Sequence, residues 1–349
     1  MRRVGPYDVP GGYTGDCRTL MAAMPAGVVQ CVVTSPPYWG LRRYAGAQDG
    51  VWDGEGECVH RWGDVIPGDA RGGSGPGKKG GGAHETYARA EPRGAFCGCG
   101  AWRGALGNEP TPEHYVANLV EVFRGVWRVL RNDGTVWLNL GDSHNAAGRE
   151  GHGTRIGVKQ GTNRASAVGA DAVRPNATTL KPKDLVGTPW RVAFALQADG
   201  WTLRSDCIWS KANCMPESVV DRPARSHEYV FLLTKSERYY YDHVAVRESG
   251  SVVAGTMAAR GGAARAAAPG VNARPPEPYE YSGTRNMRSV WHLVGERSRE
   301  PHYAAFPDHA EQHLSAVAEK WPGALVVFDS QSKALSYAGM DEDSNTEVT

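Results

Sequence analysis

The sequence predicts an α/β protein built on a doubly wound sheet and decorated by two or three polar insertions. Three observations predict it. Short apolar runs alternate with helical stripes, tight turns join them, and long Gly-rich stretches interrupt the pattern. With 349 residues, 41% of them hydrophobic, the chain can bury a core as one large domain with an insertion or as two ordinary domains. No apolar run approaches the roughly 20 residues that span a bilayer. Met1-Arg2-Arg3 leads into no apolar stretch, so no membrane segment and no secretory signal are expected, and a cytoplasmic location follows. A net charge of +1 excludes nucleic-acid binding through overall charge; any such field must be local.

In chain order, Asp16 to Met24 is compatible with a short helix closed by Pro25 and Gly27. Val28 to Thr34 (VVQCVVT) reads as a buried parallel strand, because Ser35-Pro36-Pro37 forces the chain out of the sheet at its carboxyl end. From Val51 to Ala101 the periodicity fails, and Gly72 to Gly82 has the composition of a flexible linker. Thr111-Pro112-Glu113 restarts regular structure as an N-cap followed by proline at the first helical position. Val116, Leu119, Val120, Phe123, Trp127 and Leu130 continue it as a helical stripe. Asp133-Gly134 is predicted to turn the chain into a strand, Thr135 to Leu140. Residues 145–183 read as a loop whose seven basic residues meet three acidic ones, counting Asp184. That excess suits a phosphate backbone, and it equally suits a solvated loop. Leu185 to Ala198 is expected to be a helix, and Leu203 to Trp209 and Glu228 to Thr234 strands. Residues from about 249 to 286, rich in Gly, Ala, Arg and Pro, are expected to be mobile.

Ser35-Pro36-Pro37-Tyr38 follows an apolar strand directly, and open α/β sheets bind ligands at the carboxyl ends of their strands. These residue types suit one reaction. An exocyclic amine on cytosine or adenine is a poor nucleophile, because its lone pair is delocalised into the ring. Acceptors on its N–H bonds, here the Ser35 hydroxyl and the Pro36 carbonyl, favour a pyramidal nitrogen as it attacks. Two prolines hold that carbonyl rigidly and bring no competing N–H. Tyr38 offers a ring on which a base rotated out of a duplex could stack. The plain alternative is a Pro-Pro turn with a core tyrosine.

Several blocks together resemble the DNA amino-methyltransferases in which the catalytic loop precedes the cofactor loop, the β arrangement. They are Gly15-Asp16-Cys17, then Val32 to Arg42 around Ser-Pro-Pro-Tyr, Gly134 to Ser143, and Ser205 to Lys211. Asp221-Arg222-Pro223 with Ser226 to Tyr229, Arg288 to Trp291, and His302 to Pro307 complete the series. The resemblance implies a Rossmann-like methyltransferase sheet, S-adenosylmethionine as methyl donor, and double-stranded DNA as partner, with a possible cognate restriction enzyme. It implies Ser35, Pro36, Pro37 and Tyr38 as catalytic loop, and Asp16, His302, Phe306 and Pro307 as cofactor contacts. A turn aspartate at Asp16 and an ordinary loop around Phe306 are the respective alternatives; Asp142 is a turn, a cap or a site residue. In that family Ser-Pro-Pro-Tyr usually goes with N4 of cytosine and Asp- or Asn-Pro-Pro-Tyr with N6 of adenine, so the resemblance implies N4 of cytosine, with N6 of adenine the alternative. An RNA or protein methyltransferase is a further reading, against which the blocks beyond the loop speak.

These assignments divide the chain into a first catalytic part (1–48), an insertion (49–102), the catalytic remainder (103–329) and a polar tail (330–349). The family pattern closes with an apolar strand, an aspartate and a Phe-x-Gly-x-Gly loop that curls around the cofactor. Val326-Val327-Phe328-Asp329 begin it, but Ser330, Gln331, Ser332 and Lys333 follow, with no glycine before Gly339. Either the reading frame is interrupted there, leaving an impaired DNA-binding remnant, or a partner chain supplies the half-site.

Seven cysteines without a signal peptide argue against a disulfide framework. Cys17, Cys31, Cys207 and Cys214 sit singly as small hydrophobes. Cys58-x-His60 and Cys97-x-Cys99 bracket the glycine linker and offer four ligands for a tetrahedral zinc that would staple the insertion. The alternative is exposed thiols and a surface histidine.

Overall fold

The computed structural model describes residues 2–9, 13, 15–40, 49–54, 56–66, 94–145, 180–211, 213–214, 217, 219–249, 284–293 and 324–328. The elements are β1 (Arg2–Val4), β2 (Tyr7–Val9), α1 (Cys17–Ala22), β3 (Val29–Thr34), β4 (Gly50–Trp52), β5 (Trp62–Val65), β6 (Ala95–Cys97) and β7 (Trp102–Gly104). They continue as α2 (Pro112–Val129), β8 (Leu130–Leu140), α3 (Thr188–Ala198), β9 (Thr202–Lys211), β10 (His227–Thr234), β11 (Glu248–Ser249), β12 (Thr284–Arg285), β13 (Val290–Leu293) and β14 (Ala324–Phe328).

Every residue of β3 is buried, as an apolar run between Gly27 and Ser35-Pro36 requires of a central strand. It pairs in parallel with β8 on one side and with β14 on the other. The six-stranded sheet has the order β13-β9-β10-β8-β3-β14, and β10 runs antiparallel to both of its neighbours. This is the α/β, Rossmann-like sheet that the sequence predicts. Side chains alternate across it with the period of two that a pleat imposes. Val32, Val136, Leu138, Phe231 and Leu233 join the core shared with the helices. Cys31, Val33, Trp137, Val230 and Leu232 form a second cluster on the opposite face.

Helix α2 starts as expected: the Thr111 hydroxyl accepts the His114 N–H, and proline occupies the first turn. Its buried stripe, including Tyr115, Leu119, Phe123 and Val126, packs on the sheet. Helix α3 begins at Thr188, three residues later than Leu185, because Gly187 takes a left-handed conformation (φ 72°) that breaks the helical path. Helix α1 is also shorter than its sequence range, Asp16 being its N-cap. Asp133-Gly134 does not form a separate turn. Strand β8 already begins at Leu130 and carries both residues within a register shift against β3. Gly134 is needed there, since a Cβ would lie 2.8 Å from the Gln30 carbonyl oxygen.

Residues 51–101, where periodicity fails, contribute to a second, antiparallel sheet of order β4-β7-β6-β5. Its strands have three or four residues, too few for an alternation signal to register. Trp52 and Trp102 anchor it, and the Arg18 guanidinium of α1 lies 3.8 Å above the Trp52 ring. The glycine linker 72–82, most of the expected loops at 145–183 and 249–286, and the tail 330–349 lie outside the described residues. Among the described residues no helix is long and apolar enough to cross a membrane.

Candidate active site

The sheet's topology brings four polar side chains from four strands to one edge. Ser35 follows the carboxyl end of β3, Asn139 lies next to the end of β8, and Lys211 ends β9. Glu228 stands at the start of β10, which reaches the same edge because that strand is reversed.

There Ser35 is buried, and its hydroxyl lies 3.1 Å from Asn139 Oδ1. The Tyr38 hydroxyl lies 2.6 Å from the same oxygen and 3.0 Å from Glu228 Oε2. Lys211 Nζ closes the chain at 2.5 Å from Glu228 Oε1. The Asn139 amide cannot turn over freely, because its Nδ2 donates to the Tyr229 carbonyl at 3.0 Å. Its Oδ1 therefore faces Ser35 as an acceptor and takes the hydroxyl proton. The Tyr38 hydroxyl is the other neighbour of Ser35 Oγ, at 3.3 Å; with the serine proton donated to Asn139 Oδ1, Oγ keeps acceptor capacity for an incoming N–H donor.

The loop that carries Ser35 is held from below by the segment between β7 and α2. The Tyr115 hydroxyl donates to the Pro37 carbonyl at 2.8 Å. The Gly40 N–H donates to the Gly107 carbonyl at 2.9 Å, and Trp39 Nε1 donates to the Glu109 carbonyl at 3.0 Å. Gly107 (φ 90°) sits so close to Pro37 that a Cβ would approach the proline Cβ to 3.0 Å. Gly141 does the same for Tyr38: a Cβ there would lie 2.6 Å from its ring. Glycine at these two points is a requirement of close approach.

Of the expected site residues, Ser35, Pro36, Pro37 and Tyr38 thus lie at the strand-end edge. Asp16 caps α1, its Oδ1 accepting the Arg18 N–H at 2.8 Å, while its Oδ2 lies 2.8 Å from Arg18 Nη2. Burial alone would push the Asp16 carboxyl up, but the hydrogen bonds and charge of Arg18 hold it below the usual carboxylate range. Asp142 is a cap. Its carboxylate accepts the N–H groups of Gly187 and Thr188 at 3.2 and 3.1 Å, which starts α3 where Gly187 has no side chain to do so. His302, Phe306 and Pro307 lie outside the described residues.

Cys58, His60, Cys97 and Cys99 are brought together on the second sheet, their ligand atoms all within 4.8 Å of one another. The Cys97 thiol is pulled down, first by the Cys99 backbone N–H and then by His60, while the Cys58 thiol is pushed up by its hydrogen bond with Cys99.

Sequence reading assigned no role to Asn139, Glu228, Lys211, Glu109 or Tyr115. One signal was available for Asn139: it is the single amide in an otherwise apolar run, TVWLNL. Tyr115 and Glu228 act through partners far away in the chain, Pro37 at a separation of 78 and Tyr38 at 190, and Glu109 and Lys211 carry no local pattern that marks them.

The chain is similar to known proteins over most of its length. The DNA methylase family of N6/N4 methyltransferases matches residues 29–320. Type II methyltransferase M.SmaI of Serratia marcescens is 34% identical over 313 residues, covering 90% of this chain and 76% of the relative. Type II methyltransferase M.XycI of Xanthomonas campestris pv. cyanopsidis is 36% identical over 296 residues, covering 84% and 68%. Among solved structures, the cytosine-N4-specific PvuII DNA methyltransferase aligns at 12% identity and a TM-score of 0.44, covering 92% of this chain and 75% of that one.

Proposed function

The chain belongs to the N6/N4 DNA methylases, and on that premise we propose that it methylates the exocyclic amine of a base rotated out of double-stranded DNA, N4 of cytosine in preference to N6 of adenine. The observation that carries this reading is the orientation of Ser35. Asn139 Oδ1 takes the hydroxyl proton, so the serine oxygen presents acceptors to the amine. The Pro36 carbonyl is the second acceptor, and proline on both sides of that peptide limits its movement. With both N–H bonds engaged, the nitrogen lone pair leaves conjugation with the ring and points along the line of attack. The Tyr38 ring supports the base, its hydroxyl held by Asn139 Oδ1 at 2.6 Å, and the Glu228–Lys211 ion pair lies beside it. Serine at position 35 is the basis for favouring cytosine. A cognate restriction enzyme, as Type II relatives imply, belongs to the same proposal. Nucleoside mass spectrometry of DNA incubated with saturating S-adenosylmethionine is expected to find N4-methyldeoxycytidine. N6-methyldeoxyadenosine in its place would overturn the choice of base, and no methylated nucleoside would favour a non-catalytic remnant.

S-adenosylmethionine, when bound, would supply an electrophilic methyl group. The described residues fit it in part. The parallel pair β14–β3 ends with Phe328 opposite Thr34, which sets the carboxyl ends of two strands beside Ser35. Asp16, however, already has both oxygens on Arg18. In sequence, Ser330 to Lys333 also take the place of the glycines that the family pattern has after Val326-Val327-Phe328-Asp329. Losing two charge-assisted hydrogen bonds, each worth about 1.5–3 kcal/mol, weakens binding by about a hundredfold or more. Calorimetry is therefore expected to show weak binding by this chain. A version with an Asp-Pro-Phe-x-Gly-x-Gly loop and a following helix grafted after Val327 should bind strongly. Micromolar affinity in the unaltered chain would mean that residues 330–339 form a substitute.

A further inference from the structure

We propose that Cys58, His60, Cys97 and Cys99 bind one zinc ion, and that this ion holds the second sheet in place as the support of the catalytic loop. The inference goes beyond methyl transfer and does not depend on it.

All four ligand atoms lie within 4.8 Å of one another, and two of the six distances between them are close to the edges of a tetrahedral site. Zinc bonds of about 2.3 Å to sulfur and about 2.05 Å to nitrogen, at the tetrahedral angle, set edges of about 3.8 Å between two sulfurs and about 3.6 Å between sulfur and nitrogen. Cys58 Sγ lies 3.8 Å from Cys97 Sγ, and Cys99 Sγ lies 3.4 Å from His60 Nδ1. The first of these is far beyond the roughly 2.05 Å of a disulfide bond, and both cysteines are free. Three thiolates and an imidazole around a small tetrahedron select zinc over calcium or magnesium, which take oxygen ligands.

The backbone is shaped for the ion as well. Cys97-Gly98-Cys99-Gly100 forms the tight turn between β6 and β7, with the Gly100 N–H on the Cys97 carbonyl at 3.0 Å and Gly100 at φ 89°.

The sheet needs such a staple. Its strands have three or four residues, and 29 residues separate the end of β5 at Val65 from the start of β6 at Ala95. Strands so short, joined across so long a connection, hold their register poorly by themselves.

The sheet in turn supports the active site. The hairpin that carries Cys97 and Cys99 runs through β7 into the Gly107–Glu109 turn, which binds Gly40 and Trp39 and packs on Pro37. Zinc at one end of this hairpin fixes the shelf on which Ser-Pro-Pro-Tyr rests at the other.

The test uses the full chain, purified without chelator from zinc-supplemented cells. Elemental analysis is expected to find about one zinc per chain, lost in Cys99→Ser and in His60→Ala. Hydrogen exchange is then compared in the unaltered protein before and after its thiols are titrated with an organomercurial and the released zinc is chelated. Amides of 38–40 and 105–109 should exchange at least about tenfold faster, while those of β8 and β10 stay protected. Stoichiometric iron, a Cys58–Cys97 disulfide, or zinc-free protein with protected amides at 95–104 would overturn the site. Unchanged exchange at 38–40 after zinc removal would overturn the support role. All of these outcomes remain readable in a chain that methylates no DNA.

Discussion

Ser35→Ala is expected to lower the methyl-transfer rate by about 10²–10³-fold at saturating cofactor, the usual cost of one preorganised polar contact to the reacting centre. The structure explains why the loss should fall on rate. Ser35 is buried, and its hydroxyl is oriented by Asn139, whose amide is itself held by the Tyr229 carbonyl. Alanine removes the acceptor from the amine and leaves that scaffold standing. Asn139 Oδ1 keeps the Tyr38 hydroxyl as a donor at 2.6 Å, so no buried group is orphaned. The melting temperature should therefore change little. Tyr38→Ala should be comparably inactive, while Tyr38→Phe, which retains the ring, should keep most of the base stacking. Single-turnover methylation with radiolabelled cofactor reads all three. Ser35→Ala turning over like the unaltered chain would remove the catalytic assignment.

Glu109→Ala should destabilise the protein by about 2–4 kcal/mol and lower its melting temperature by roughly 3–5 °C. Glu109 is fully buried. Its carboxylate accepts the Gly107 N–H at 2.8 Å and Asn118 Nδ2 at 3.0 Å. Deleting it relieves the cost of burying a charge, but it orphans two buried donors and leaves a cavity where the side chain was, and these losses are larger. The damage should spread to the active site, because the Gly107–Glu109 turn carries Gly40 and Trp39. Glu109→Gln keeps one acceptor and should lose about half as much. Differential scanning calorimetry on the three proteins decides it, and a Glu109→Ala transition at the unaltered temperature would sink the claim.

Both predictions rest on side chains that differ in how readable they were. Ser35-Pro36-Pro37-Tyr38 could be located from local signals alone: an apolar run, then prolines that no strand interior accepts. Glu109 gave no such signal. An acid before Pro110 reads as a solvated loop residue, and only packing against Asn118 and Gly107 shows it to be a buried keystone. Asp142 was legible as a possible cap, but the helix that it starts lies 45 residues further on.

What the sequence determined by itself is what neighbours along the chain decide. The central strand, the N-cap and stripe of α2, the strand at Val326 to Phe328 and the pairing of Cys58-x-His60 with Cys97-x-Cys99 follow from period, turn chemistry and short spacing. Errors at this level came where two local rules met. Asp133-Gly134 is a good turn sequence, but pairing with β3 drew it into a strand, and Gly187 stopped a helix that apolar periodicity alone would start earlier. The tertiary structure decided which side chains meet. Asn139 reaches Ser35 because β3 and β8 are parallel neighbours in a particular register, and Glu228 reaches Tyr38 because β10 is reversed. Register and strand direction are settled by burial summed over the whole sheet, a quantity that no local stretch of sequence contains.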